Sequence, residues 1–133
     1  MSERFATVVL DSQGLSAWVA QDRRLLVKLD LFVSMGAELV TCANTIVEVI
    51  NARVNRARLN WVLSRVRVES VTEPAAKTAA DLLVEAGLHG HKYAIDATVA
   101  EMALRQPGPV AMLTSDVDDM AKLCGSRIRL IAI

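Results

Sequence analysis

The sequence predicts a single α/β domain: a three-layer sandwich in which helices cover both faces of a mostly parallel central sheet of about five strands. Three observations predict it. Short apolar, β-branched runs alternate along the chain with longer segments of helical periodicity. The strand-like runs lack polar alternation, so neither face of the sheet meets water. Finally, the chain has 133 residues, of which 53% are AVILMFWYC and 23% are charged. That is enough for one domain with its own core, and it excludes a disordered or solvated tail. Residues 1–133 show no internal repeat or linker, and Pro74, Pro107 and Pro109 all fall between periodic segments.

Each element has a local cause. Residues 7–10 (TVVL) read as a fully buried strand. Residues 14–20 read as a short helix and 23–35 as a longer one, with Leu25, Leu26, Leu29, Phe32 and Val33 at helical spacing. Gly36 stops that helix, as a residue tolerant of positive φ does. Residues 39–43 (LVTCA) form the next strand, and Asn44 or Thr45 caps a helix running to about residue 54. Residues 59–66 are helical, and 66–71 alternate as a half-buried or edge strand. Thr72-Glu73-Pro74 opens a helix that Gly87 closes. A small-residue helix over 94–105, a strand over 110–114, a helix over 118–123 and a strand over 128–133 complete the chain.

Lys+Arg and Asp+Glu both total 15, which excludes binding to nucleic acid by bulk charge alone. The charges are segregated, however. Residues 49–68 hold five arginines (Arg53, Arg56, Arg58, Arg65, Arg67) and no acid, whereas residues 69–101 hold six acids against Lys77 and Lys92. Such blocks form a solvated face or a binding surface. Cys42 and Cys124 lie far apart in apolar runs, as reduced, buried thiols do. No uncharged apolar run reaches the ~18 residues of a membrane span. The start, Met-Ser-Glu-Arg-Phe, lacks a basic region followed by a long apolar stretch. A cytoplasmic location without membrane contact is expected.

Ligands of open α/β sheets bind beyond the carboxyl ends of the strands. Two predicted strands run into aspartates there, Asp11 and Asp116. Either can simply cap the helix that follows. Glu48 stands three residues after Thr45, the spacing of a capping box. Asp96 falls in a helical first turn, where the macrodipole favours an anion, on one face with Val99, Ala100 and Ala103. Four acids gathered on one rim raise each other's pKa unless a divalent cation neutralises them. Oxygen donors suit Mg2+ or Mn2+. His89 and His91 form an isolated His-Gly-His in a loop-like stretch with no third ligand nearby.

In order, the sequence carries LDSQGLS after the first strand, TIVEV, AIDATVA, then TSDVDD after a later strand. This order resembles the PIN domain, and within it the VapC-like toxin ribonucleases of toxin–antitoxin pairs. The resemblance spans essentially the whole chain. It implies that Asp11, Glu48, Asp96 and Asp116 are the catalytic, metal-holding acids, joined by Asp118 or Asp119. Ser12 stands where many members have threonine, and Ser12, Thr114 and Ser115 are implied donors to the acids. Also implied are Mg2+ (or Mn2+) as cofactor, a cognate antitoxin, an RNA substrate and a homodimer. The reaction would be metal-assisted hydrolysis of an RNA phosphodiester, leaving a 5′-phosphate and a 3′-hydroxyl.

Arg53, Arg56 and Arg58 would hold the RNA backbone without reading sequence. Trp18 and Trp61 are candidates for base stacking or for ordinary packing. Leu25, Leu29, Phe32, Ile46 and Ile50 would line a groove for the antitoxin or a dimer interface, or else belong to the core. A non-catalytic PIN-like RNA-binding or scaffold protein is the alternative. A phospho-receiver domain fits less well: Asp11 has no acidic neighbour, and the chain ends in RLIAI without a lysine.

Overall fold

The computed structural model of the chain describes residues 4–133. The expectation of no leader falls partly on residues 1–3, outside that range. Strand β1 (Thr7–Leu10) is followed by helices α1 (Ser12–Val19) and α2 (Arg23–Ser34). Next come β2 (Glu38–Cys42), α3 (Ala43–Val49), α4 (Arg56–Leu63), β3 (Arg67–Glu69) and α5 (Glu73–Ala86). The chain closes with α6 (Gly90–Leu104), β4 (Val110–Thr114), α7 (Val117–Cys124) and β5 (Arg129–Ala132). The five strands lie in the order β3-β2-β1-β4-β5. All four pairings are parallel, so the sheet is more uniform than the mostly parallel one expected.

The strand side chains divide between two cores by the period of two. Val8, Leu10, Leu39, Ala111 and Leu113 face one core, with Leu15, Trp18, Leu25, Leu29 and Val62 from α1, α2 and α4. Val9, Val40, Val110 and Met112 face the other, with Ala97, Ala100, Ala103 and Met120 from α6 and α7. These are the three layers. Leu25 and Leu29 are therefore core, not groove, while Phe32, Ile46 and Ile50 are half-buried.

Both predicted glycine stops hold positive φ, 94° at Gly36 and 67° at Gly87. Thr72 caps α5 by accepting from the Ala75 N–H. The helix expected to begin at Asn44 or Thr45 and run to about residue 54 begins at Ala43 and ends at Val49. The N-cap position is Cys42, without a side-chain cap bond. Thr45 instead turns its hydroxyl inward, donating to the Cys42 carbonyl at 2.7 Å. Asn51 ends the helix early: its amide donates to the Val49 carbonyl, and its Oδ1 accepts from Arg53 N–H. Side chains of this type offer the backbone an alternative to the helix. His91 lies in the first turn of α6, not in a loop, and both histidines are exposed. No helix among the described residues is long and apolar enough to cross a membrane.

Candidate active site

Because every pairing is parallel, the carboxyl ends of all the strands share one edge of the sheet. β1 and β4 are adjacent there, with Leu10 in register with Leu113. The next residues, Asp11 and Thr114, therefore meet. Asp11 is 2% exposed and occupies the N-cap of α1, where Oδ1 accepts from Gly14 N–H at 2.9 Å. The cap reading is thus correct for Asp11, but incomplete. Its carboxylate also accepts from the Thr114 hydroxyl. The Thr114 Oγ1 accepts in turn from Asp116 N–H at 3.0 Å. One threonine thus links both strand-end aspartates. Burial pushes the Asp11 carboxyl above its ordinary value; the Thr114 and Gly14 hydrogen bonds oppose this, and the Asp116 charge adds to it.

Gly14 allows this geometry. A Cβ there would stand 3.1 Å from both Leu10 Cδ2 and the Leu113 carbonyl oxygen. Its absence lets the first turn of α1 lie against the strands and places Ser12 over the rim. The Ser12 hydroxyl donates to Glu48 Oε1. Glu48 is exposed, and its capping box is absent because Thr45 bonds elsewhere. Asp116 sits at the N-cap of α7 but makes no side-chain cap bond. Its carboxylate is left without the role that the cap reading assigned.

α6 is kinked at Tyr93 (φ −114°, ψ 16°), so the expected start at residue 94 coincides with the start of its straight part. Asp96 lies in the first turn of that part, above the buried Val99, Ala100 and Ala103. Its carboxyl is pushed up to about 6, first by burial and then by the charges of Glu48, Asp116, Asp11 and Asp119. Five acids from β1, α3, α6 and the start of α7 therefore share one electrostatic field. Asp119 belongs to it; its neighbour Asp118 is exposed. Ser115 is exposed and makes no hydrogen bond to an acid.

The donor chemistry fits a hard divalent cation. All donors are carboxylate oxygens, and the raised Asp11 and Asp96 record burial first and then a mutual repulsion, both of which such an ion offsets. Among the described residues, no three His, Cys, Asp or Glu side chains are already gathered tightly enough to grip one. Glu48 and Asp116 are the exposed members, the ones least hindered from moving inward.

The arginine block divides. Arg53 and Arg56 are exposed and form no ion pair among the described residues. Arg58 is half-buried, with Nη1 3.5 Å from the Val19 carbonyl. A cleft lined by Ser16, Asn51, Arg53, Val54 and Arg58 runs along α1, and Ser16 is one turn beyond Ser12. Arg67 is diverted to the β3 edge, where it pairs with Glu38 and Glu69. Sequence reasoning missed a second basic cleft, where Arg24 and Lys28 face Gln13 and Ser115 beside the rim. Their i, i+4 spacing on α2 was the available signal.

No family model and no curated protein matches the sequence. Solved structures match it closely in shape. A chain of VapBC2 from Rickettsia felis, bound to a DNA fragment from their promoter, superposes with a TM-score of 0.72 at 14% identity. The match covers 96% of this chain and 98% of that one. A chain of a toxin–antitoxin complex from Klebsiella pneumoniae gives 0.69 at 15% identity, over 91% of this chain and 94% of that one. The chain has a PIN-like α/β fold, shared over nearly its whole length with these two chains. At these identities the likeness is one of fold. Within this PIN-like fold, the acids of the chain stand at the carboxyl ends of the strands, where ligands of α/β sheets bind.

Proposed function

We propose that the chain is a Mg2+- or Mn2+-dependent endoribonuclease that acts as the toxin of a toxin–antitoxin pair. The observation that carries this reading is Asp96, held near the core and raised to about 6 by burial and by four other acids. Charges left in mutual repulsion at a rim are what a cation site needs and a structural cluster avoids. Asp11, Glu48, Asp96 and Asp116 would hold the ion, with Asp119 beside them. When bound, the ion supplies a water of lowered pKa and stabilises charge on the phosphate and leaving oxygen. Thr114 holds the buried Asp11 carboxylate by donating to it, and Ser12 holds Glu48 in the same way. Arg53 and Arg58 would hold the RNA backbone along the α1 cleft, and the exposed Arg56 would add charge to the same chain segment. No serine or cysteine pairs with a histidine among the described residues, which leaves no side-chain nucleophile, and the proposed reaction takes water as the nucleophile. Its attack leaves a 5′-phosphate and a 3′-hydroxyl.

The toxin role draws on the solved neighbours, of which one is named as part of a toxin–antitoxin complex and the other as VapBC2. It brings with it a cognate antitoxin, a homodimer and a cytoplasmic site of action. Val27 and Leu31, exposed on α2, offer apolar surface to a protein partner. The test is cleavage of single-stranded RNA by the purified chain with Mg2+, with Mn2+ and with EDTA, beside calorimetry of each ion. Cleavage only with an ion, and ion binding lost in Asp96→Asn, is the expected result. Undiminished cleavage by protein confirmed as metal-free would sink the mechanism. RNA binding without cleavage under either ion would leave the non-catalytic RNA-binding reading.

A further inference from the structure

We propose that Trp61 is a stacking platform for one unpaired base of the RNA, a specificity element beside the cleavage rim; this rests on the ribonuclease reading above. The two tryptophans have opposite fates. Trp18 is 7% exposed and belongs to the core, while Trp61 is 52% exposed. Their rings meet edge to face, with centroids 6.4 Å apart and an interplanar angle of 89°. Arg65 sits over the Trp61 ring at 5.3 Å. The exposed indole is thus held in place by a buried one, so a base would stack on it at little conformational cost.

The surroundings offer the groups that a nucleobase and its phosphate use. Trp61 lines a cleft with Gln21, Asn55, Ala57 and Arg58. Two side-chain amides and a guanidinium are the groups that read base edges and bind the adjoining phosphate. Asn55 Oδ1 is already used, accepting from Arg58 N–H at 3.0 Å, which leaves its amide N–H groups for a ligand. Gln21 holds a φ of 60°, a left-handed backbone uncommon for a residue other than glycine. The acid nearest in sequence is Asp22, whose carboxylate is engaged by Leu25 N–H. No acid occurs anywhere in residues 49–68.

Asn55 and Arg58 also line the neighbouring cleft that holds Arg53 and Ser16. The platform and the phosphate path therefore share a wall. That path leads back along α1, which spans about 10 Å from Val19 to Ser12 at the helical rise, to the Ser12–Glu48 pair. The exposed apolar residues Val27 and Leu31 lie on α2 and line neither cleft. An exposed aromatic face flanked by amide side chains and a guanidinium is the pattern of single-strand binding sites.

The test measures binding in EDTA at low salt, with oligo(rA), oligo(rU) and an abasic ribose-phosphate chain, each of about ten nucleotides. The expected result is that oligo(rA) binds at least about fivefold more tightly than the abasic chain, the lower end for one stacked base. Trp61→Leu should lose that margin and keep the salt dependence, since no phosphate contact is lost. Trp61→Phe should retain most of it, and circular dichroism of both variants checks the fold. Trp61→Leu binding like wild type, or weakening equally on the abasic chain, would overturn the proposal. So would a change of oligomeric state in Trp61→Leu with RNA binding intact, which would make Trp61 an interface residue. If wild type binds none of the probes and cleaves no RNA with Mg2+, the ribonuclease reading falls together with this one.

Discussion

Two regions of the molecule gather carboxylates, and they do so in opposite ways. At the β3 edge, Glu38, Glu69 and Glu101 surround Arg67 and Arg105. Arg67 pairs with Glu38 and Glu69, and Arg105 bonds Glu101 at 2.9 and 3.1 Å and approaches Glu69 at 3.5 Å. Gln106 joins both Arg67 and Glu69. At the strand-end rim, Asp11, Glu48, Asp96 and Asp116 form no ion pair among the described residues; Asp119 has only Lys122, at 3.9 Å. Titration follows the difference. Burial works to raise Glu69, but hydrogen bonds from Arg67 and Gln106 and the charges of Arg67 and Arg105 outweigh it, so its pKa is lowered. Asp96 is raised to about 6. Acids that the fold needs are supplied with partners by the fold. On the function proposed above, acids left to repel one another would be kept for a ligand.

The largest effect that would break this comparison is on activity. Asp11→Asn and Asp96→Asn should each reduce RNA cleavage by orders of magnitude, while Glu101→Gln at the edge leaves it within about twofold, measured as kcat/KM on one RNA. Asparagine caps a helix about as well as aspartate. Full cleavage by Asp11→Asn would therefore return that residue to its cap at Gly14.

The next effect is on stability and has a defined sign. Asp96 binds its proton more tightly in the folded chain, about 6 against an ordinary 3.8. At this group the folded state therefore holds more protons between those values, so its contribution to metal-free stability falls as pH rises from about 4 to about 6. The loss is on the order of 2–3 kcal/mol at most. Asp96→Asn should flatten that stretch of a urea-unfolding series, and Mg2+ added to wild type above pH 6 should restore the loss. An Asp96→Asn series that runs parallel to wild type across the window would contradict the repulsive rim.

The smallest effect lies at the edge and has the opposite sign. A lowered pKa means that Glu69 stabilises the fold above its ordinary value of 4.5, and that this is lost as pH falls below it. Its partners are partly exposed, so Glu69→Gln should cost about 1 kcal/mol or less. Unfolding at pH 7 and at pH 3 checks it: the variant should differ from wild type only at the higher pH.

Much of this was legible along the chain because its causes are local. Alternating runs mark the strands by their period. Thr72, Gly36 and Gly87 mark helix ends by backbone chemistry that needs no distant partner. Asp11 and Asp116 stand at strand ends in the sequence itself. The tertiary structure decided which side chains meet, because contact across the sheet depends on register and helix packing. It set Thr114 between two aspartates, tied Ser12 to Glu48, and brought Asp96 within the field of Asp119. It drew Arg67 out of the arginine block, buried Trp18 and left Trp61 exposed. It also ended α3 at Val49, where the Asn51 side chain takes up backbone groups that a longer helix would have used. Periodicity places a residue on a face; only the packed chain determines what stands opposite it, and so whether a charge meets a partner or another charge of its own sign.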